Sequence, residues 1–186
     1  MPSRMLNSLP LSFGGVRRTA LMPSACPIPA KQNVVIVGAT GVGKSYLATA
    51  LAYAACRAGY RASYQRASRL VQQLAIARAD GTYPSLLSQL AKTHVLVIDD
   101  FLLAPLTETE RRDLLEILED RYGRLSTIIT SQLPTKSWHE SLGDPTMADA
   151  ICDRLVHNAH VVTLRGGSMR KKKGMGSATT TEVTST

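Results

Sequence analysis

Residues Gly38-Ala39-Thr40-Gly41-Val42-Gly43-Lys44-Ser45 spell G-x-x-x-x-G-K-[ST], directly between the apolar run Val34 to Val37 and a helix-patterned stretch. A strand that feeds a helix through such a loop commits the chain to an α/β architecture built on parallel strands. The glycines let the backbone curl so that successive N–H groups face a polyphosphate. The following helix adds the positive end of its dipole, Lys44 a mobile cation, and Ser45 a hydroxyl able to coordinate Mg²⁺. The segment reads as a nucleotide-phosphate cradle.

From Gln32 to about Arg170, short β-branched runs alternate with helix-patterned segments, which predicts a parallel sheet covered by helices on both faces. The expected strands are Val34–Val37, Ala62–Gln65, Val95–Ile98, Thr127–Thr130 and Val161–Leu164, apolar enough to be buried on both sides. Lys44–Arg57 places Ala48, Leu51, Ala52 and Ala55 on one helical face and stops at Gly59. Thr107-Glu108-Thr109-Glu110 is a capping box opening a helix whose Leu114, Ile117, Leu118 and Tyr122 are expected to face the sheet, with Gly123 as its end. A further helix is expected from Thr146 to Asn158, opened by Thr146 and Asp149. No internal repeat is present.

The 186 residues give one globular domain with two atypical ends. Residues 1–31 hold Pro, Ser and Arg without a helical pattern and read as an irregular or disordered segment. The core is expected over 32–172. Residues 173–186, Gly/Ser/Thr-rich behind Arg170-Lys171-Lys172-Lys173, read as a disordered tail. The net charge of +8 is uneven, because Asp80 is the first acidic residue and ten Lys/Arg precede it. Such a basic half suits a polyanion such as nucleic acid, although scattered arginines on solvated helix surfaces give the same count. Cys26, Cys56 and Cys152 lack metal-ligand spacing and read as reduced buried thiols of a cytoplasmic protein. Every apolar stretch is far shorter than the ~20 residues needed to span a bilayer, so no membrane partner is expected.

The third apolar run ends in Asp99-Asp100, at the edge of a parallel sheet where ligands bind. Behind a complete phosphate loop, Asp99 is a candidate to hold Mg²⁺ together with Ser45, and Asp100 to orient or deprotonate the attacking water. The bland alternative is a strand end entering a loop. Gln132, after the fourth run, is placed to position the water if that strand lies between the first and third; otherwise Ser131 and Gln132 are solvated residues of a turn before Pro134. Arg154 reads either as an ordinary surface partner of Asp153 or as an arginine finger offered to a neighbouring subunit's nucleotide. His157 and His160 lack a third ligand, which argues against zinc. Trp138, Tyr46, Tyr53 and Phe101 read as packing residues.

With these residues in place, the stretch from about Asn33 to Lys172 resembles the IstB-like family of transposition helper ATPases, relatives of the DnaC-like helicase loaders in the AAA+ superfamily. The carriers are the loop Gly38 to Ser45 with Tyr46-Leu47-Ala48, Arg78-Ala79-Asp80-Gly81, Leu96 to Phe101, Ile129 to Pro134, and Asp153-Arg154-Leu155-Val156-His157. The resemblance implies a P-loop NTPase with a five-stranded parallel sheet flanked by helices, the AAA+ core, without a full helical lid. It implies an enzyme that turns ATP and water into ADP and phosphate with Mg²⁺, assembles as a homo-oligomer on double-stranded DNA, and assists a partner transposase. Lys44 and Ser45 then match the Walker A residues, Asp99 and Asp100 the Walker B pair, Gln132 sensor 1 and Arg154 the arginine finger. Gly167-Ser168-Met169-Arg170 resembles the sensor 2 segment, with Met169 where the family has Tyr. Family members usually carry a helical region ahead of the core, and residues 1–30 lack its pattern. The rivals are a loader acting on a replicative helicase and an inactive nucleotide-binding fragment.

Overall fold

The computed structural model describes residues 28–169. The expectations for residues 1–27, Cys26, Arg170 and the tail at 173–186 lie outside them.

Five strands, β1 (Asn33–Gly38), β2 (Ala62–Arg66), β3 (Val95–Phe101), β4 (Ser126–Ser131) and β5 (Ala159–Leu164), form one parallel sheet in the order β2-β3-β4-β1-β5. Alternation of side chains sorts the sheet into two faces. Val34 and Ile36 of β1, Val95 and Val97 of β3 and Ile128 of β4 pack with α1 (Lys44–Arg57) through Leu47, Ala48, Ala52 and Ala55. Val35, Val37, Leu96, Ile98 and Ile129 face the other way. There they meet α2 (Ala67–Asp80), α3 (Tyr83–Ala91), α4 (Glu108–Arg121), α5 (Trp138–Leu142) and α6 (Pro145–Val156). Among the described residues, one helix thus covers one face and five cover the other.

The capping box forms: the Glu110 N–H donates to Thr107 Oγ1 at 3.3 Å, and the Thr107 N–H donates to Glu110 Oε2 at 2.7 Å. Several expectations need correction. Tyr122 caps the C-terminus of α4 and is exposed, because the helix stops one residue before it and its ring turns outward. The last helix begins at Pro145, since Asp144 accepts the Met147 N–H at 2.9 Å and so displaces Thr146 as the cap. Helices α2 and α3 were not among the expected elements, although Leu70, Leu74 and Ala77 already carry a helical spacing. As edge strands, β2 and β5 are only partly covered, unlike β4, buried throughout, and β1, buried up to Gly38. Cys56, Tyr46 and Tyr53 are exposed on the outer side of α1, whereas Phe101 and Trp138 are buried with their rings edge to face at 5.0 Å.

The edge of the sheet where the strands begin is closed by Arg121. Its side chain donates to Thr127 Oγ1, Leu90 O, Thr93 O and Ser126 O at 2.6–3.0 Å, tying α3 and α4 to β4. Burial pulls its pKa down to about 10, so it remains a cation at neutral pH and its donors are spent on structure.

Candidate active site

The strand order decides which chain segments meet. Because β4 lies between β1 and β3, the loop after β1 opens beside the ends of β4 and β3, the crevice in which open α/β sheets take ligands. The loop needs glycine at two positions for different reasons. A Cβ on Gly38 would lie 2.5 Å from the Leu164 carbonyl oxygen, while Gly41 has φ +82° and a Cβ there would meet Ser168. The Met169 N–H donates to Gly41 O at 2.9 Å, so residues 168 and 169 lie against the loop.

Gly43 stands at the N-cap of α1 without a side-chain cap, and the first turn of the helix has no acidic residue. Lys44 is buried and its Nζ donates to Gly38 O at 2.9 Å and Ala39 O at 3.0 Å. Ser45 is half-buried in the same turn. Uncapped backbone donors, a folded-back lysine and a hydroxyl form a donor set that fits a polyphosphate with its cation.

Asp99 is 1% exposed, and both of its carboxylate oxygens have donors: Thr130 Oγ1 to Oδ1 and Tyr64 Oη to Oδ2, each at 2.5 Å. Thr130 also accepts the Asp100 N–H at 3.0 Å. Asp100 adopts φ +58°, where the β3–β4 register shifts between Ile98 and Phe101. A non-glycine residue held there carries strain of roughly 1–3 kcal/mol. The Thr130 hydroxyl and the Ser131 hydroxyl, which donates to Phe101 O at 2.8 Å, bind the bulge from β4. The bulge turns consecutive carboxylates differently: Asp99 inward, Asp100 half-exposed. Gln132 is exposed, and its Oε1 accepts from Thr40 Oγ1 of the phosphate loop at 2.7 Å.

The loop, Asp99, Asp100 and Gln132 therefore come together, and Arg154 does not. Its carbonyl accepts from Asn33 Nδ2 at the first residue of β1, about 17 Å from the loop at a strand rise of ~3.3 Å per residue. The guanidinium pairs with Glu119 at 2.9 Å and with Asp153, and lies 4.8 Å from the Tyr122 ring centroid. It reaches no phosphate on its own loop. His157 lies at the C-cap of α6 and His160 in β5, where His160 Nε2 meets Gln32 Oε1 at 2.8 Å. Among the described residues no group of three or more metal-binding side chains occurs, and no helix is long and apolar enough to cross a membrane.

Thr130 and Tyr64 are the contacts that the motif reading missed. The two-residue side-chain period marks them, since Tyr64 shares a face with Ala62, and Thr130 with Ile128, on the side where Asp99 points.

The family model for the IstB-like ATP binding protein matches residues 17–177. The chain belongs to this IstB-like family. Within its range of relatives, an insertion sequence ATP-binding protein of Sinorhizobium fredii is 56% identical over 146 residues, 78% of this chain and 60% of the relative. An insertion sequence ATP-binding protein of Pseudomonas fluorescens is 49% identical over 121 residues, 65% of this chain and 52% of the relative. The chain thus spans a little over half the length of these curated IstB-like relatives. Among solved structures, domain III of the Thermotoga maritima replication initiator DnaA superposes with a TM-score of 0.66 at 16% identity, covering 82% of this chain and 62% of that one. The DnaC helicase loader superposes with a TM-score of 0.62 at 20% identity, covering 76% and 88%. At these identities the likeness establishes the fold alone, a P-loop-bearing five-stranded parallel sheet flanked by helices.

Proposed function

We propose that this IstB-like protein is a cytoplasmic ATPase that assembles on double-stranded DNA and assists a transposase of its insertion sequence. The observation that carries the reading is the convergence of the phosphate loop, Asp99-Asp100 and Gln132 on one sheet edge, with Thr40 bonded directly to Gln132. The family and the insertion-sequence relatives supply the biological context.

On this reading the backbone of Gly38 to Gly43 cradles the phosphates, with Ala39, Thr40, Gly41 and Val42 forming its turn. Lys44 leaves the carbonyls of Gly38 and Ala39 for the phosphate oxygens. Ser45 and Asp99 would hold Mg²⁺, which when bound neutralises charge on the β- and γ-phosphates. Asp100, half-exposed at the bulge, orients the attacking water and takes its proton, while Gln132 fixes the water's position from the end of β4. Arg154 serves the nucleotide of a neighbouring copy, since it lies at the far edge of its own sheet.

The test is ATP turnover with and without duplex DNA, together with solution mass in a non-hydrolysable ATP analogue. Stimulation by duplex DNA and an analogue-dependent increase in mass are expected. Dependence on single-stranded DNA or on a replicative helicase would transfer the reading to a helicase loader. Absence of any ATP binding would sink both.

A further inference from the structure

Tyr64 stands on the edge strand β2, outside every motif of the site. By register it pairs with Val97, two residues before Asp99, and projects to the same face of the sheet. Its ring rises along that face so that the hydroxyl donates to Asp99 Oδ2 at 2.5 Å, opposite the Thr130 hydroxyl on Oδ1. The two donors come from the strands flanking β3, so the carboxylate is gripped from both sides of its own strand. An ionised carboxylate offers about four lone-pair positions. Two are taken here, and the plane of the group is fixed by the pair.

We propose that Tyr64 is a positioning residue for the divalent cation of this site, holding the Asp99 carboxylate in the orientation whose remaining lone pairs receive the cation or its water. This rests on the ATP and Mg²⁺ reading above. A phenolic hydroxyl is a proton donor throughout the neutral range, so it can hold the carboxylate oxygen as the structure shows. Outer partners of metal-binding carboxylates typically change metal affinity by about 10–100-fold when removed. A tyrosine that merely satisfies a buried carboxylate would instead affect the fold.

The deciding variant is Tyr64→Phe, which keeps the ring and deletes the hydroxyl. A fluorescent ATP analogue is titrated with the full chain at increasing Mg²⁺ and also in chelator, alongside Mn²⁺ binding followed by electron paramagnetic resonance. The expected result is a Mg²⁺ requirement raised at least about 10-fold, with weaker Mn²⁺ binding, unchanged nucleotide affinity in chelator and an unchanged thermal midpoint. Thr130→Val, which removes the opposing hydroxyl, should shift the cation requirement in the same direction. A Mg²⁺ requirement within about twofold of wild type in Tyr64→Phe overturns the proposal. So does an equal loss of affinity with and without cation. Wild-type protein whose ATP affinity ignores Mg²⁺ overturns the underlying site reading instead, and Asp99→Asn separates the two cases by showing whether Asp99 carries any cation dependence.

Discussion

Helices α1 and α4 are both 14 residues long and follow β1 and β3 directly in the sheet order of the chain, yet their N-termini are built in opposite ways. In α4 the Thr107 side chain and Glu110 close on each other, and Glu108 and Glu110 place negative charge on the positive end of the dipole. In α1 the cap is Gly43, the first turn is free of acids, and a lysine is buried in it. A helix that supplies its own acceptors at the N-terminus is finished as a structural part. One that offers only donors there is arranged to receive acceptors from an anion.

The strongest way to break the contrast is to remove the cation from α1. Lys44→Ala should lower nucleotide affinity more than about 100-fold, the order expected when a desolvated charge-assisted contact of ~3 kcal/mol is lost, and equilibrium titration with a fluorescent nucleotide would reveal it. If Lys44→Ala binds nearly as well as wild type, the asymmetry between the two termini has no bearing on ligand binding.

A smaller effect is expected from Gly41→Ala. The left-handed backbone at φ +82° costs an alanine roughly 1–2 kcal/mol, and the new Cβ presses on Ser168. Nucleotide affinity should fall about 5- to 30-fold, measurable by the same titration, while circular dichroism remains that of the wild type. Thr107→Ala should do the converse. Loss of the cap at α4 costs about 1 kcal/mol, lowering the thermal midpoint by about 2–4 °C in calorimetry and leaving nucleotide affinity untouched. A Thr107→Ala protein with weakened nucleotide binding would show that the two termini are not separate in function.

How far these differences could be read in advance varies along the chain. The capping box and the phosphate loop were both legible, because each is a local pattern in which the residues that interact are three to seven positions apart. The fold class followed from the alternation of apolar runs and helical patterns. The grip on Asp99 was not legible in this way. Tyr64, Asp99 and Thr130 are separated by 35 and 31 residues, and only the pairing of β2, β3 and β4 makes them neighbours. The exposure of Tyr122, Tyr46 and Tyr53 also escaped the sequence reading, since an aromatic residue near an apolar stripe carries no sign of which side of the stripe it occupies. Tyr122 is further displaced because α4 ends at Arg121, whose guanidinium is drawn inward to four acceptors.

The separation of Arg154 from its own phosphate loop has a consequence for symmetry. On the role proposed for Arg154, each subunit offers an arginine at one edge of the sheet and receives one at the other. The two surfaces are different, so the contact is head-to-tail, and a pair joined by one such contact has no two-fold axis and leaves an arginine on one copy and a nucleotide on the other unmatched. Repetition of the same contact must either close on itself as a ring or advance along an axis as a helical filament. A duplex is itself a helix of indefinite length, and a protein whose self-contact has a direction has, in that geometry, a means of following it.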